Sequence, residues 1–145
     1  MADETTIKWL YPSNFEGTYP KGQNTGHIRH TILCTNISDG SGEDEVIKVK
    51  RTDLLTPTGI VPSKLIIEKI DYDISGMSVR ISYNNINDEE VAVLTDSSGC
   101  IDFTKQGGFN PENDGDGDGG DIIFTTINSA LGDTYNIILT IRPHE

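Results

Sequence analysis

Apolar and polar residues alternate one by one through most of this chain, and that period of two constrains the fold more than any other feature. A strand points successive side chains to opposite faces, so alternation marks a ribbon buried on one side. The clearest run is Met77-Ser-Val79-Arg-Ile81-Ser-Tyr83, with Ser78, Arg80 and Ser82 on the polar face. In Thr134-Tyr135-Asn-Ile137-Ile-Leu139-Thr-Ile141, the residues Tyr135, Ile137, Leu139 and Ile141 share a face. Further runs cover 28–37, 45–51, 65–74, 91–95, 100–103 and 122–127. They are rich in threonine, isoleucine, valine and tyrosine, which suit a pleated, half-buried surface.

Turn residues separate the runs. Ser38-Asp39-Gly40-Ser41-Gly42, Asn84 to Asp88, Ser97-Ser98-Gly99 and Leu131-Gly132-Asp133 all supply types that tolerate a positive φ. No window carries a helical stripe. The best candidate, Leu54 to Ile70, is broken by Pro57, Gly59 and Pro62, and a proline inside a helix costs about 3 kcal/mol. About eight short strands therefore predict an all-β fold, a single antiparallel β-sandwich or barrel-like domain. Alternation does not encode strand order, so sandwich and barrel stay open.

Two segments depart from the pattern. Residues 1–25 are polar and aromatic, with Trp9, Tyr11, Phe15 and Tyr19 spaced among Pro12, Gly17, Pro20 and Gly22. They read either as an extended arm that docks its aromatics on a partner or as a segment lying over the domain's own core. The β-domain itself is then 26–145. Within it, 106–121 holds 6 of the chain's 15 glycines and reads as a long connection rather than a regular element.

The chain has 145 residues, enough to bury a core without metal or disulfide support. Its 23 Asp and Glu outnumber 11 Lys and Arg, for a formal charge of −12. Phosphate binding needs a basic footprint, and the local one is Lys48-Val49-Lys50-Arg51. Nucleic acid is therefore not the expected partner. No apolar run approaches the roughly 20 residues of a membrane span, and the acidic, polar opening Met1 to Thr6 is unlike a signal peptide. The expectation is synthesis in a cytoplasm, with no membrane partner.

The sharpest chemical motif is Asp114-Gly-Asp116-Gly-Asp118-Gly-Gly-Asp121. Alternating aspartates followed by glycine resemble the start of a calcium loop, with hard oxygen ligands at its first, third and fifth positions. The twelfth position is Thr125 rather than the bidentate glutamate of an EF-hand. A non-helical calcium site built from Asp114, Asp116, Asp118 and Asp121 is one reading, and an acidic solvated loop tip is the other. His27 and His30 fall on opposite faces if one strand holds both. Cys34 and Cys100 each sit in a strand pattern and read as small packing residues. No nucleophile elbow, zinc-protease helix or phosphate-binding loop is present, so the expectation is a non-enzymatic protein with no catalytic residues.

Several phrases, taken in order, carry a resemblance. They are Trp9-Leu-Tyr11-Pro12, then Thr35 to Glu43, then Val46-Ile-Lys48-Val49 with Asp53-Leu54. Ile70 to Met77, Gly99 to Gly108, Gly120 to Thr126 and Gly132 to Leu139 follow. In this order the chain resembles small virion proteins of tailed bacteriophages. The resemblance implies a capsid decoration (cement) protein. Such a protein would bind the outer surface of the major capsid protein shell as a homo-oligomer, a dimer or trimer, with no catalytic residues. The aromatics Trp9, Tyr11, Phe15 and Tyr19 would serve as its gripping arm, and an unpaired strand edge would be another route. The Asp114 to Asp121 run lies outside the shared pattern. The competing function is a calcium-dependent or carbohydrate-binding β-sandwich of a phage tail or fibre, with Tyr11 or Tyr19 as a sugar platform.

Overall fold

The computed structural model describes residues 3–11, 29–54, 60–84, 89–109 and 120–144. Nine strands appear among them: β1 Glu4–Tyr11, β2 His30–Ile37, β3 Val46–Val49, β4 Lys64–Ser75, β5 Ser78–Asn84, β6 Glu89–Leu94, β7 Ser98–Asp102, β8 Asp121–Ile127 and β9 Thr134–His144. They form two sheets, β1-β2-β9-β4-β7 and β3-β8-β5-β6, with every pairing antiparallel. The architecture is a β-sandwich, and each alternating run read from the sequence overlaps a strand.

The core lies between the sheets. From the five-stranded side come Ile32, Cys34, Leu65, Ile67, Ile70, Ile74, Ile137, Leu139 and Ile141; Val79, Ile81, Tyr83, Ile122 and Phe124 meet them from the other. The Tyr83 hydroxyl crosses the layer to donate to the Leu65 carbonyl at 2.7 Å. A buried phenol that keeps its hydrogen bond avoids the cost of a stranded polar group.

Perfect alternation fails at a few places, and each failure has a local cause. In β4 the inward positions switch from Leu65 and Ile67 to Ile70, Tyr72 and Ile74 because a bulge lies between Ile67 and Lys69. The displaced Glu68 directs its carboxylate to Arg29 (2.6 Å) and Arg142 (3.6 Å), and its carbonyl accepts the Phe103 N–H at 2.8 Å. In β3 a bulge between Ile47 and Val49 leaves Lys48 out of register. Both Lys48 and Val49 are buried, which strict alternation cannot produce.

Residues 4–11 pair with β2 as an ordinary edge strand, with Ile7 opposite Cys34 and Trp9 opposite Ile32. The reading of 1–25 as an arm separate from the domain therefore fails over these positions. Trp9 is 4% exposed and belongs to the core, and its indole N–H donates to His30 Nδ1 at 3.1 Å. The expected loop over 106–121 is described only at its ends. Gln106 to Phe109 fold back onto the sandwich, where the Phe109 N–H donates to the Ile67 carbonyl at 2.7 Å. Gly108 is required there, because a Cβ would come within 2.3 Å of Ile66 Cγ2 and the backbone φ is +101°.

Because Trp9 is core, Trp9→Ala should cost about 3–5 kcal/mol. The expected result is a lowered urea midpoint at an unchanged transition slope. A chain shortened to begin after Tyr11 should be at least as destabilised, since it also exposes the β2 edge.

Candidate functional site

A buried polar cluster sits between the two sheets at the end where β2 turns toward β3. Gly42 opens it: with φ +77° and Ser129 Oγ only 2.6 Å from where a Cβ would stand, this position accepts glycine alone. The chain then anchors to β8, where Glu43 N–H donates to Thr126 Oγ1 (2.8 Å) and Thr126 N–H donates to the Glu43 carbonyl (3.0 Å). Glu45, at φ 51°, redirects the backbone into β3, with its N–H on Thr125 Oγ1 at 3.1 Å.

These anchors aim Glu43 inward, where its carboxylate meets the Lys48 ammonium delivered by the β3 bulge. The two side chains are only 5% and 1% exposed. Tyr135, on β9 in the opposite sheet, donates its hydroxyl to the other Glu43 oxygen at 2.5 Å. The ammonium lies 5.8 Å from the Phe124 ring centroid and 6.0 Å from that of Tyr135, within the range of a cation–π attraction. Asn36, fully buried on β2 and opposite Tyr135 in the ladder, closes the cluster. Its amide nitrogen donates to Asp3 at 3.1 Å, and its carbonyl oxygen is buried with no hydrogen-bond partner among the described residues.

The electrostatics follow from dryness. Burial pushes the Cys34 thiol up to about 12, with Lys48 acting against the shift and Glu43 with it. Burial also raises the Tyr135 phenol, and the Glu43 carboxylate adds to that, while Asn36 opposes it. Tyr83 is raised chiefly by burial as well. Cys34 is thus a protonated packing residue, as its strand pattern predicts. Cys100 is exposed on the edge strand β7, which overturns its reading as a packing residue. In β7 only Ile101 turns inward, so Cys100 takes the solvent face.

The other sequence-derived residues are only partly described. Trp9 is in the core, Tyr11 ends β1, and Phe15 and Tyr19 lie outside the described residues. Asp114, Asp116 and Asp118 also lie outside them. Asp121 is buried at the start of β8, where its Oδ1 accepts the Arg51 backbone N–H at 2.8 Å. That bond commits one oxygen of the expected calcium ligand to tying β8 to the turn at Arg51–Asp53. Among the described residues no group of three or more His, Cys, Asp and Glu could hold a metal ion. The basic run Lys48-Val49-Lys50-Arg51 is not a surface patch, because Lys48 and Arg51 are both buried.

A shallow groove of about 280 Å³ lies on the outer face of the four-stranded sheet. Asp44, Glu45, Arg80 and Glu90 line it over Ile123. Arg80 and Glu90 pair across it at 2.9 Å with both side chains about half exposed, so the pair adds little to stability. No aromatic ring lines the groove. No helix among the described residues is long and apolar enough to cross a membrane.

No family model matches the chain, and no curated protein matches it. Among solved structures it is similar to a Clostridium thermocellum endo-1,4-beta-D-xylanase 10B, its CBM22-1 and GH10 modules complexed with xylohexaose. That likeness has 12% identity, a TM-score of 0.40, and covers 99% of this chain but 26% of that one. It is also similar to a Glycosylation Associate Protein complex from Streptococcus agalactiae, at 16% identity and a TM-score of 0.36, covering 92% of this chain and 44% of that one. The chain thus spans less than half the length of either. Neither likeness carries an argument about what this protein does.

Three outcomes follow. Glu43→Ala strands a buried ammonium and should cost about 3–5 kcal/mol, read from the shift in urea midpoint. Alkali should also unfold the protein early. The raised Cys34 thiol keeps its proton in the native state up to about pH 12, whereas in the unfolded chain it ionises near 8.5. Over that window the native state binds more protons, so stability is full below the lower value and falls as pH rises. Urea midpoints from pH 8 to 11 should decline, and Cys34→Val should flatten the decline. In the native protein a thiol reagent should modify Cys100 at once and Cys34 only on unfolding.

Proposed function

We propose that this chain is a non-enzymatic structural protein of a tailed-phage virion, a capsid decoration protein that binds the outer surface of the major capsid protein shell and stabilises it. The observation that carries the reading is the order of the shared phrases. Their described residues fall on strands and turns that frame the sandwich. Thr35 to Glu43 is the entry to the buried cluster, Val46 to Val49 is the bulged strand, and Gly132 to Leu139 brings in Tyr135. A two-layer β-domain with its ionic groups neutralised inside suits a part that must endure in a particle. The acidic surface keeps unbound copies apart.

The gripping surface follows from what the fold leaves over. Trp9 is occupied in the core, so the aromatic arm loses its largest member. The β3 edge is the better candidate. It is four residues long, pairs on one side with β8, and leaves Val46 and Ile47 38% and 40% exposed. An apolar edge of this kind can add to a strand of a neighbouring protein through main-chain hydrogen bonds. On the particle the protein sits as a dimer or trimer at a symmetry axis.

The test is addition of the purified chain to shells of the major capsid protein from its own phage. It should co-sediment at a fixed ratio and raise the temperature at which shells disrupt. Ile47→Asp should weaken attachment by at least about tenfold while leaving far-UV dichroism unchanged. Shells that take up no protein, or native particles whose cryo-EM maps place the chain on the tail, would overturn the reading.

A further inference from the structure

We propose that the buried cluster is a self-modifying site, in which the Lys48 amine and the Asn36 side-chain amide join as an intramolecular isopeptide bond that staples one sheet to the other. Three observations converge on it. A lysine side chain is almost wholly buried and held against a carboxylate. A fully buried asparagine presents a carbonyl oxygen with no partner among the described residues. Beside the lysine stands Glu43, the base such a reaction needs, with its second oxygen held by the Tyr135 hydroxyl.

The placement is set by the backbone. Asn36 faces inward from β2, in line with Ile32 and Cys34. Tyr135 is its ladder partner on β9, and the Tyr135 hydroxyl reaches Glu43, which holds Lys48. The β3 bulge that breaks alternation delivers Lys48 from the opposite sheet. A bulge that buries a lysine works against stability if the residue has only a structural role, since apolar residues fill such a place as well or better. The Phe124 and Tyr135 rings beside the ammonium help to keep water away from the pair.

The chemistry balances without any added reagent. Glu43 takes a proton from the Lys48 ammonium and frees the nitrogen lone pair. The amine attacks Asn36 Cγ, forming the new C–N bond, and the carboxyl group that Glu43 has become donates a hydrogen bond to the amide oxygen as negative charge develops there. The bond from Cγ to Nδ2 then breaks, and the departing nitrogen leaves as ammonia with the second proton of the attacking amine. Glu43 keeps the proton it took, so no charge is stranded in the core. Holding the two reacting groups in one dry site supplies the orientation that makes amide exchange feasible at all.

Intact-mass measurement on the purified full chain tests this directly. The wild type should weigh one ammonia less than its sequence. Trypsin should fail to cut after Lys48, and the resulting peptide over 30–50 should give no backbone fragments from within the ring closed between Asn36 and Lys48. Lys48→Met, Asn36→Ala and Glu43→Gln should each weigh what their sequences require, with near-UV dichroism reporting which of them keeps the native fold. A wild type at its full sequence mass overturns the proposal, and so does normal cleavage after Lys48. An ammonia loss that persists in Lys48→Met also overturns it, because a succinimide at Asn36 has the same mass. A loss of water with a ring between Glu43 and Lys48 overturns Asn36 as the acceptor.

Discussion

A lysine ammonium sealed between two sheets has to be neutralised by the protein itself, and much of this structure is arranged around that requirement. Lys48 reaches the interior because β3 bulges. The counter-charge comes from Glu43, five residues earlier, which the 38–45 connection turns back into the sandwich. That connection depends on Gly42 at a φ open to glycine and on two threonines of β8 that receive its N–H groups. Tyr135 completes the set from the other sheet, so one cluster ties β3, β8 and β9 together. In a medium where an unpaired charge costs several kcal/mol, these pieces have to be placed together. A change at Gly42 is thereby a change at Lys48.

The same economy appears at the edge of the five-stranded sheet. β1 looks expendable in sequence, being polar, terminal and close to prolines. It covers β2, inserts Trp9 into the core and lends Asp3 to the turn after β2, whose Asp39 N–H donates to Asp3 Oδ1 at 3.0 Å. An aromatic that fills the core contributes to stability and cannot also serve as a hot spot for a partner. Strand edges, rather than aromatic side chains, are then the surfaces left for binding. There the backbone is the recognition element and modest apolar side chains suffice.

An acidic surface and an internally compensated core make a coherent pair of properties for a protein that works by attachment. Charge outside limits self-association before assembly, and charge paired inside keeps the fold from depending on ionic conditions, since buried pairs are screened little by salt. Glu68, at the β4 bulge, shows the same habit nearer the surface. Its carboxylate is shared by Arg29 and Arg142, and through Gly107 the Arg142 guanidinium also holds the segment after β7 (3.0 Å).

Strand content and the inward faces of the strands are legible in the sequence alone. Period-two alternation is a property of neighbouring residues, so Val79, Ile81 and Tyr83, or Tyr135 through Ile141, could be assigned without knowing any partner. Turn glycines were equally legible, because a positive φ is a local demand. Cys34 was read correctly for the same reason. Sheet order, the capture of β1 and the burial of Lys48 arise only in the folded molecule. Residues 46–49 alternate in a way that sends Lys48 outward, and only the pairing of Val46 and Ile47 with Phe124 and Ile123, then of Val49 with Ile122, makes the bulge that turns it in. Cys100 went wrong in reverse: its strand lies at a sheet edge with one face to solvent, and which face is set by β4. Registers and edges are relations between distant segments, which is why no local pattern could state them.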